Sequence, residues 1–315
     1  TSNPPKPLLP SAFSHLFPPK PVLSHSSQII HVVTETMKKL FMLLMVLALA
    51  ATPLAANAEN AVLTRIENGA SGDFDGDGTT ETVAFATQRD EYDDGGFTLT
   101  VGGTTVSQEN CIALSEELYA VSVPYDAYYA ENDLMGTLFM AFEYGPSDDP
   151  VSYCYFYTDG ALYDAGTIEA LPTAMQFFGR EIRTTLRSDL LGTWSRPATF
   201  VLGYGYSMEG DEYKSDYHLA EVPQDVYAMG LISKTKVELP LQVSRTDDAS
   251  AGTIPAGAKL TFAATDNLHW VYAESMDGEI RGWFYVDSSD YPTMVRVNGT
   301  MTSADEVFDN LMYAD

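Results

Sequence analysis

The chain has 315 residues, with 44 acidic and 17 basic side chains, which gives a formal net charge of −27. Such a surface repels nucleic acids and anionic lipids, because both are bound through clustered lysine and arginine side chains. The 19 tyrosines exclude a purely acidic disordered tail, so we expect a folded chain.

Residues 37–58 have the pattern of a secretory signal peptide. Met37-Lys-Lys39 is a basic start, Leu40–Ala51 is an apolar core, and Ala56-Asn-Ala58 supplies small residues for cleavage. The apolar core is shorter than the roughly 20 residues that span a bilayer. We therefore predict a secreted protein with no transmembrane segment. Residues 1–36 are rich in Pro, Ser and His, and we interpret them as a non-native upstream extension.

Cleavage after Ala58 leaves 13 basic and 43 acidic side chains, a formal net charge of −30. This charge is consistent with cation binding or attraction to a basic wall, and we favour the alternative that it serves simple solubility outside the cell. Cys111 and Cys154 are the two cysteines of the chain. In an exported protein they could form one disulfide, or they could be two buried thiols. No cysteine follows Ala58, so the sequence has no lipid-attachment site there.

Three aspartates alternate with other residues in a short glycine-containing stretch. If the chain curls, Asp73, Asp75 and Asp77 converge on one point, and Gly76 and Gly78 allow the positive φ that such a curl needs. Converging carboxylates repel one another unless a hard cation lies between them. Calcium is the usual cation, since it takes six to eight oxygens at about 2.3–2.6 Å.

Two further residues extend this acidic loop. The backbone carbonyl of Thr79 and the carboxylate of Glu81 would add oxygen ligands. An EF-hand would need a glutamate at the twelfth position, which is Ala84 in a predicted strand, so the pattern favours a nine-residue loop followed by a strand. The alternative interpretation is a solvated Asp/Gly turn without an ion. We predict a metal site at Asp73, Asp75, Asp77, Thr79 and Glu81, with Ca²⁺ as the cofactor.

Residues 59–232 read as strands and turns throughout. Alternating or continuous apolar runs bounded by Gly, Pro and Asp predict an all-β domain, either a sandwich, a barrel or a propeller. One short patch, Ser115–Leu118, looks helical. The strands are predicted at Phe97–Val101, Thr104–Val106, Leu138–Phe142, Val151–Tyr157 and Ala161–Tyr163.

The acidic loop resembles the calcium loop of FG-GAP/VCBS-type proteins, which are built from integrin-like β-propeller blades and are secreted by Gram-positive bacteria. The resemblance implies a propeller-like domain, complete or partial, over residues 59–232. Tyr125–Asp133 lacks the glycines and the alternation of a second loop, so we expect one competent ion site. The resemblance is carried by Gly72–Gly78, Glu143–Asp149, Tyr157–Gly160, Gly166–Ile168, Thr193-Trp194 and Val222–Tyr227.

Residues 235–290 resemble a bacterial SH3-like domain, which is a small β-barrel. Ile254–Phe262 has a Pro-x-Gly pause before a strand, Trp270–Tyr272 is a tryptophan strand, and Gly282–Val286 is a closing Gly-Trp strand. Asp277-Gly278 suits a type I′ turn between the last two strands. Residues 291–315 are predicted to be a tail with a short helix, which begins at Ser303 or Asp305.

No catalytic motif stands out in the sequence. His218 and His269 follow the signal peptide, and neither has a neighbour that suggests a catalytic triad. The aromatic residues Trp270, Trp283 and Tyr285 are candidate ligand-binding residues for a cell-wall peptide or glycan, although alternation would place some aromatic residues of these strands in a core.

We therefore expect a secreted, calcium-binding, non-enzymatic binding or adhesion protein of the bacterial cell surface or its surroundings. The alternative is a wall or glycan hydrolase that uses a pair of carboxylates.

Overall fold

The computed structural model describes residues 61–313, except for 93, 126–133, 147–148, 210–211 and 290. The predicted upstream extension and signal peptide lie outside the described residues, and so does nearly all of Tyr125–Asp133. Within the described residues no helix is both long enough and apolar enough to cross a membrane.

The described chain is all-β, as the sequence predicts. Its strands form four antiparallel sheets, and three of these are successive meanders in which strands consecutive in the chain pair, except that the first strand of the chain joins the edge of the second meander. The first meander contains β2 (Ser71–Gly72), β3 (Glu81–Arg89), β4 (Gly95–Val101) and β5 (Thr104–Cys111). It opens with the acidic loop, which connects β2 to β3.

The second meander contains β1 (Thr64–Ile66), β6 (Leu114–Tyr125), β7 (Leu134–Glu143), β8 (Val151–Thr158) and β9 (Ala161–Ile168), in the order β1-β6-β7-β8-β9. A 3-10 helix at Pro172–Ala174 leads to the third meander. That sheet contains β10 (Gln176–Phe178), β11 (Glu181–Ser188), β12 (Trp194–Glu209) and β13 (Glu212–Glu221).

The second meander is the middle layer and is buried on both faces. Side chains of β7 alternate between two cores, so that Phe139 packs toward the first meander and Leu138 packs toward the third. On β8, Tyr155 and Phe156 alternate in the same way. This double burial explains why both strands read as nearly continuous apolar runs. The propeller-like arrangement remains a prediction, since three meanders are fewer than the four to eight blades of typical propellers.

The fourth sheet contains the C-terminal strands, with β20 pairing to β19 and β21 to β20. One helical turn, Ala304–Val307, precedes its last strand. The strands are β14 (Tyr227–Thr235), β15 (Leu239–Gln242), β16 (Ser250–Ile254), β17 (Lys259–Thr265), β18 (Trp270–Ser275), β19 (Arg281–Asp287), β20 (Met294–Val297), β21 (Thr300–Ser303) and β22 (Phe308–Asp309). Its first strand pairs with β17, although the sequence analysis assigned residues up to 232 to the preceding domain. The SH3-like identity remains a prediction.

Two local predictions are wrong. The helix-like patch at Ser115–Leu118 is part of strand β6, which pairs with β7 and bulges there, because pairing and burial of Leu118 override local propensity. The Asp277-Gly278 turn is not type I′, because only Gly278 has a positive φ. The predicted short terminal helix is present and begins after Ser303; it is one turn long, and Phe308 follows it and packs its ring against Phe262, with 5.0 Å between centroids.

The two cysteines are free and buried. Cys111 belongs to the core between the first and second meanders, and Cys154 belongs to the core between the second and third. Burial raises the pKa of both thiols, so both stay protonated and unreactive at neutral pH. Of the two alternatives drawn from the sequence, the structure therefore has two buried thiols rather than a disulfide.

Candidate metal centre

The acidic loop between β2 and β3 brings three carboxylates together. Asp73, Asp75 and Glu81 each offer an oxygen, and these oxygens lie within 4.8 Å of one another. Asp75 is 9% exposed and Glu81 is 6% exposed, whereas Asp73 is on the surface. This is the one group of three or more possible metal-binding side chains found in the described part of the chain.

Backbone amides fix the curl of this loop. Gly76 and Gly78 donate their N–H groups to the two carboxylate oxygens of Asp73, at 2.8 and 3.0 Å. Both glycines have the positive φ that the sequence predicts for them, +77° and +87°. The Phe74 amide donates to Oε2 of Glu81 at 2.9 Å, so the carboxylate at the start of β3 closes the loop.

Asp77 and Thr79 lie beside the carboxylate cluster rather than in it. The Thr79 amide donates to Oδ1 of Asp77 at 2.5 Å, and both residues line a concavity of about 450 Å³ next to the cluster. Of the five residues predicted to bind the ion, the structure thus brings three side chains together. Asp77 and Thr79 stay at the rim of the same concavity.

The second meander holds the loop from outside. The Gly160 amide, in the hairpin between β8 and β9, donates to Oδ2 of Asp75 at 2.8 Å. The Thr137 hydroxyl on β7 donates to the Phe74 carbonyl at 2.5 Å. The Phe74 ring packs edge-on against Phe139, with 5.4 Å between centroids. The loop is therefore fixed to two sheets, and not only to the strands that flank it.

Tyr157, at the end of β8, also lines the concavity, and sequence reasoning missed it. Burial, together with the nearby carboxylates of Glu81, Asp75 and Asp77, raises the pKa of Tyr157 to about 12. The carboxylates of Asp73, Asp75 and Glu81 form an all-oxygen donor set, which suits a hard cation such as calcium. The residues present therefore fit the predicted ion.

The predicted ligand-binding aromatic residues lie together in the fourth sheet. Trp270 and Tyr285 are paired across β18 and β19 with their rings 5.4 Å apart, and Trp283 pairs with Tyr272 at 5.2 Å. All four point away from the core that buries Phe284, and all are half-buried. We call Trp270, Tyr272, Trp283 and Tyr285 the aromatic face.

Cations lie over this aromatic face. The Arg296 guanidinium is 4.1 Å from the centroid of the Tyr285 ring, and the Arg245 guanidinium is 5.4 Å from the Trp283 ring. Arg245 also pairs with Asp225 at 2.5 Å. Such cation–π contacts stabilise the face, and of the two arginines Arg296 is exposed to the solvent.

Neither histidine is part of the acidic cluster. His269 stacks on Tyr285 with 5.4 Å between ring centroids, so it adds to the aromatic face. His218 is exposed on β13, beside Gly203 of β12.

Searches of protein-family models, of curated proteins and of solved structures found no match to this chain.

Proposed function

We propose that this protein is a secreted, calcium-binding, non-enzymatic binding protein of the bacterial cell surface or its surroundings. One observation carries the calcium part of the proposal: the carboxylates of Asp73, Asp75 and Glu81 converge within 4.8 Å on a loop that is held rigidly by backbone amides. Three close negative charges are unfavourable alone and become favourable around a divalent cation.

Calcium fits this loop better than magnesium. Magnesium needs near-ideal octahedral geometry at about 2.0–2.1 Å and keeps several waters, whereas calcium accepts more oxygens at longer and more variable distances. Asp73 and Glu81 already accept amide hydrogen bonds, so their positions are fixed by the loop and cannot contract freely around a small ion. The loop also resembles the FG-GAP/VCBS calcium loop, which supports the same choice.

The aromatic face supports the binding part of the proposal. It presents planar rings on the outer surface of the fourth sheet, where the chain resembles an SH3-like domain. Its half-buried rings and the guanidinium of Arg296 offer stacking surface and hydrogen-bond donors for a cell-wall peptide or glycan. The signal-peptide pattern of residues 37–58 places such a ligand outside the cell.

Calorimetric titration of the chain from residue 59 with calcium tests the ion site. We expect binding in the range typical of extracellular modules, with Kd of roughly 10⁻⁴–10⁻³ M. Asp75→Asn should abolish binding. Asp248→Asn is the matched control, because it makes the same charge change at an exposed position in the loop between β15 and β16. Absence of calcium binding by the unmodified chain would refute the calcium part of the proposal.

Sedimentation with isolated peptidoglycan tests the wall-binding part. We expect the chain from residue 59 to pellet with the wall, and Trp283→Ala or Tyr285→Ala to reduce the pelleted fraction. Tyr92→Ala is a control, because Tyr92 is 74% exposed and lies on the first meander. If the unmodified chain stays in the supernatant both with calcium and with chelator, wall binding is excluded.

A further inference from the structure

The concavity beside the acidic loop contains a tyrosine hydroxyl with no partner in the described part of the chain. Tyr157 is 1% exposed, its side chain lines the concavity, and among the described residues its hydroxyl makes no hydrogen bond. The hydroxyl oxygen is not one of the fully buried unpaired atoms, so it reaches the concavity, where it can donate a hydrogen bond to a ligand or to water. This observation is independent of the carboxylates.

The backbone of Gly102 packs close to this hydroxyl. A Cβ at Gly102 would lie 2.3 Å from the Tyr157 hydroxyl oxygen and 3.0 Å from Cγ of Glu81, so only glycine fits there. Gly102 has φ of +56°, which also favours glycine. The remaining walls include the exposed Thr79 and Thr80. The concavity is therefore lined by oxygen-bearing groups and bare backbone.

An ion in the cluster would remain open toward this concavity. Asp73, Asp75 and Glu81 provide three converging oxygens, whereas calcium takes six to eight. The rim residues Asp77 and Thr79 can supply some of the others. The concavity, about 450 Å³, gives the remaining positions access to water or to a ligand from solution.

Charge determines which ligand fits. Three convergent carboxylates and the nearby Asp77 outweigh the two positive charges of a calcium ion, so an anionic ligand would be repelled. A basic ligand would compete with the ion for the same carboxylates. A neutral ligand with several hydroxyl groups satisfies the ion without adding charge.

We propose that the ion held by Asp73, Asp75 and Glu81 binds a neutral saccharide through the sugar's hydroxyl groups, while the Tyr157 hydroxyl donates a hydrogen bond to the same sugar. This inference rests on the proposed calcium site and names the class of ligand that the site takes. It also separates two surfaces of the protein: the metal centre takes neutral sugars, and the aromatic face is free for a different part of the wall.

The first test counts the waters on the ion and needs no knowledge of the ligand. Europium replaces calcium, and its luminescence lifetimes in H₂O and D₂O report the number of coordinated waters. We expect more than one bound water, both in the unmodified chain and in Tyr157→Phe. An ion without coordinated water would overturn the proposal, because the site would then be closed to a sugar.

The second test uses neutral chito-, manno- and galacto-oligosaccharides, with oligogalacturonate as the anionic counterpart and oligolysine as a basic ligand. In calcium we expect at least one neutral oligosaccharide to bind and to displace water from the europium ion. Loss of one hydrogen bond in Tyr157→Phe should weaken that binding about two- to tenfold and leave calcium affinity unchanged. Tyr92→Phe is the matched control, because Tyr92 is 74% exposed and belongs neither to the metal centre nor to the aromatic face, and it should have no effect.

The outcomes separate this inference from the proposed function. Calcium binding without saccharide binding, equal saccharide binding in chelator, or equal effects of Tyr157→Phe and Tyr92→Phe would overturn the inference and leave the calcium site standing. Oligolysine binding that weakens on calcium addition, with no neutral sugar bound, would also overturn it. Absence of calcium binding by the unmodified chain would overturn both proposals.

Discussion

Asp75→Asn should leave the ion-free protein as stable as the unmodified chain or more stable, and should make it less stable than the unmodified chain when calcium is present. Asp75 is close to both Asp73 and Glu81, with oxygens within 4.8 Å. At that separation each pair of charges repels by about 1 kcal/mol at the dielectric of water and by about 3.5 kcal/mol at an effective dielectric of 20. Because Asp73 is exposed, its pair with Asp75 lies near the lower figure. Removing the charge of Asp75 therefore relieves repulsion in the ion-free protein.

Weakening of the hydrogen bond between the Gly160 amide and residue 75 offsets only part of this stabilisation. Oδ2 of Asp75 accepts the Gly160 amide, and the carbonyl oxygen of asparagine can accept the same bond. A hydrogen bond to a charged group contributes about 1.5–3 kcal/mol, so the neutral replacement loses part of that amount. In chelator we expect Asp75→Asn to be as stable as the unmodified chain or more stable, by up to about 2 kcal/mol.

Calcium should reverse the order of stability. With the ion at about ten to fifty times Kd, the unmodified chain gains about 1.4–2.3 kcal/mol, and Asp75→Asn gains nothing. Urea unfolding, followed by tyrosine and tryptophan fluorescence, measures both states in chelator and in millimolar calcium. The reasoning is refuted if the two unfolding curves keep the same order and spacing in both conditions, or if Asp248→Asn behaves like Asp75→Asn.

Three further predictions concern the surroundings of the site and the core. Thr137→Val removes the hydroxyl that donates to the Phe74 carbonyl, so the free energy of unfolding should fall by about 1–3 kcal/mol in urea titrations; no change would show that water replaces this bond. Phe156→Ala opens a cavity at a fully buried position and should lower the free energy of unfolding by about 3–5 kcal/mol. Leu268→Ala, at a 66% exposed position, should change the free energy of unfolding by less than about 0.5 kcal/mol. The raised pKa of Tyr157, about 12, means that the folded state keeps a proton that the unfolded state loses above its ordinary pKa of 10. The stabilisation from this group is present below pH 10 and is lost between pH 10 and pH 12. The free energy of unfolding of Tyr157→Phe should therefore fall less steeply with pH in that range than that of the unmodified chain. Parallel pH profiles of the two proteins would contradict the raised pKa of Tyr157.

The acidic loop could be predicted from sequence because its geometry is local. Asp73, Gly76 and Gly78 are within a few residues of one another, and their hydrogen bonds depend on backbone curl alone. The alternation in β4 and the apolar runs of β7 and β8 likewise identify strands, because pleating and burial impose those patterns. The all-β class follows from the same local signals.

The other half of the site could not be predicted in this way. Tyr157 and Gly160 are about 80 residues from the loop, and their approach to Asp75 depends on how two meanders pack. Tyr157 stands in an apolar run that indicates core, which it mostly is. The prediction of a helix within β6 was wrong for a related reason, because β6 is held as a strand by pairing with β7, which lies farther along the chain.

The double burial of the middle meander has a consequence for how the protein unfolds. Phe139 and Tyr155 are covered by the first meander, while Leu138 and Phe156 are covered by the third. Detaching either neighbour would expose one whole apolar face to water, at about 25 cal/mol for each Å². Separating any of the three meanders therefore has a large free-energy cost, and we expect them to unfold in a single cooperative transition. A fragment beginning at β6 would bare the first of these faces and would aggregate.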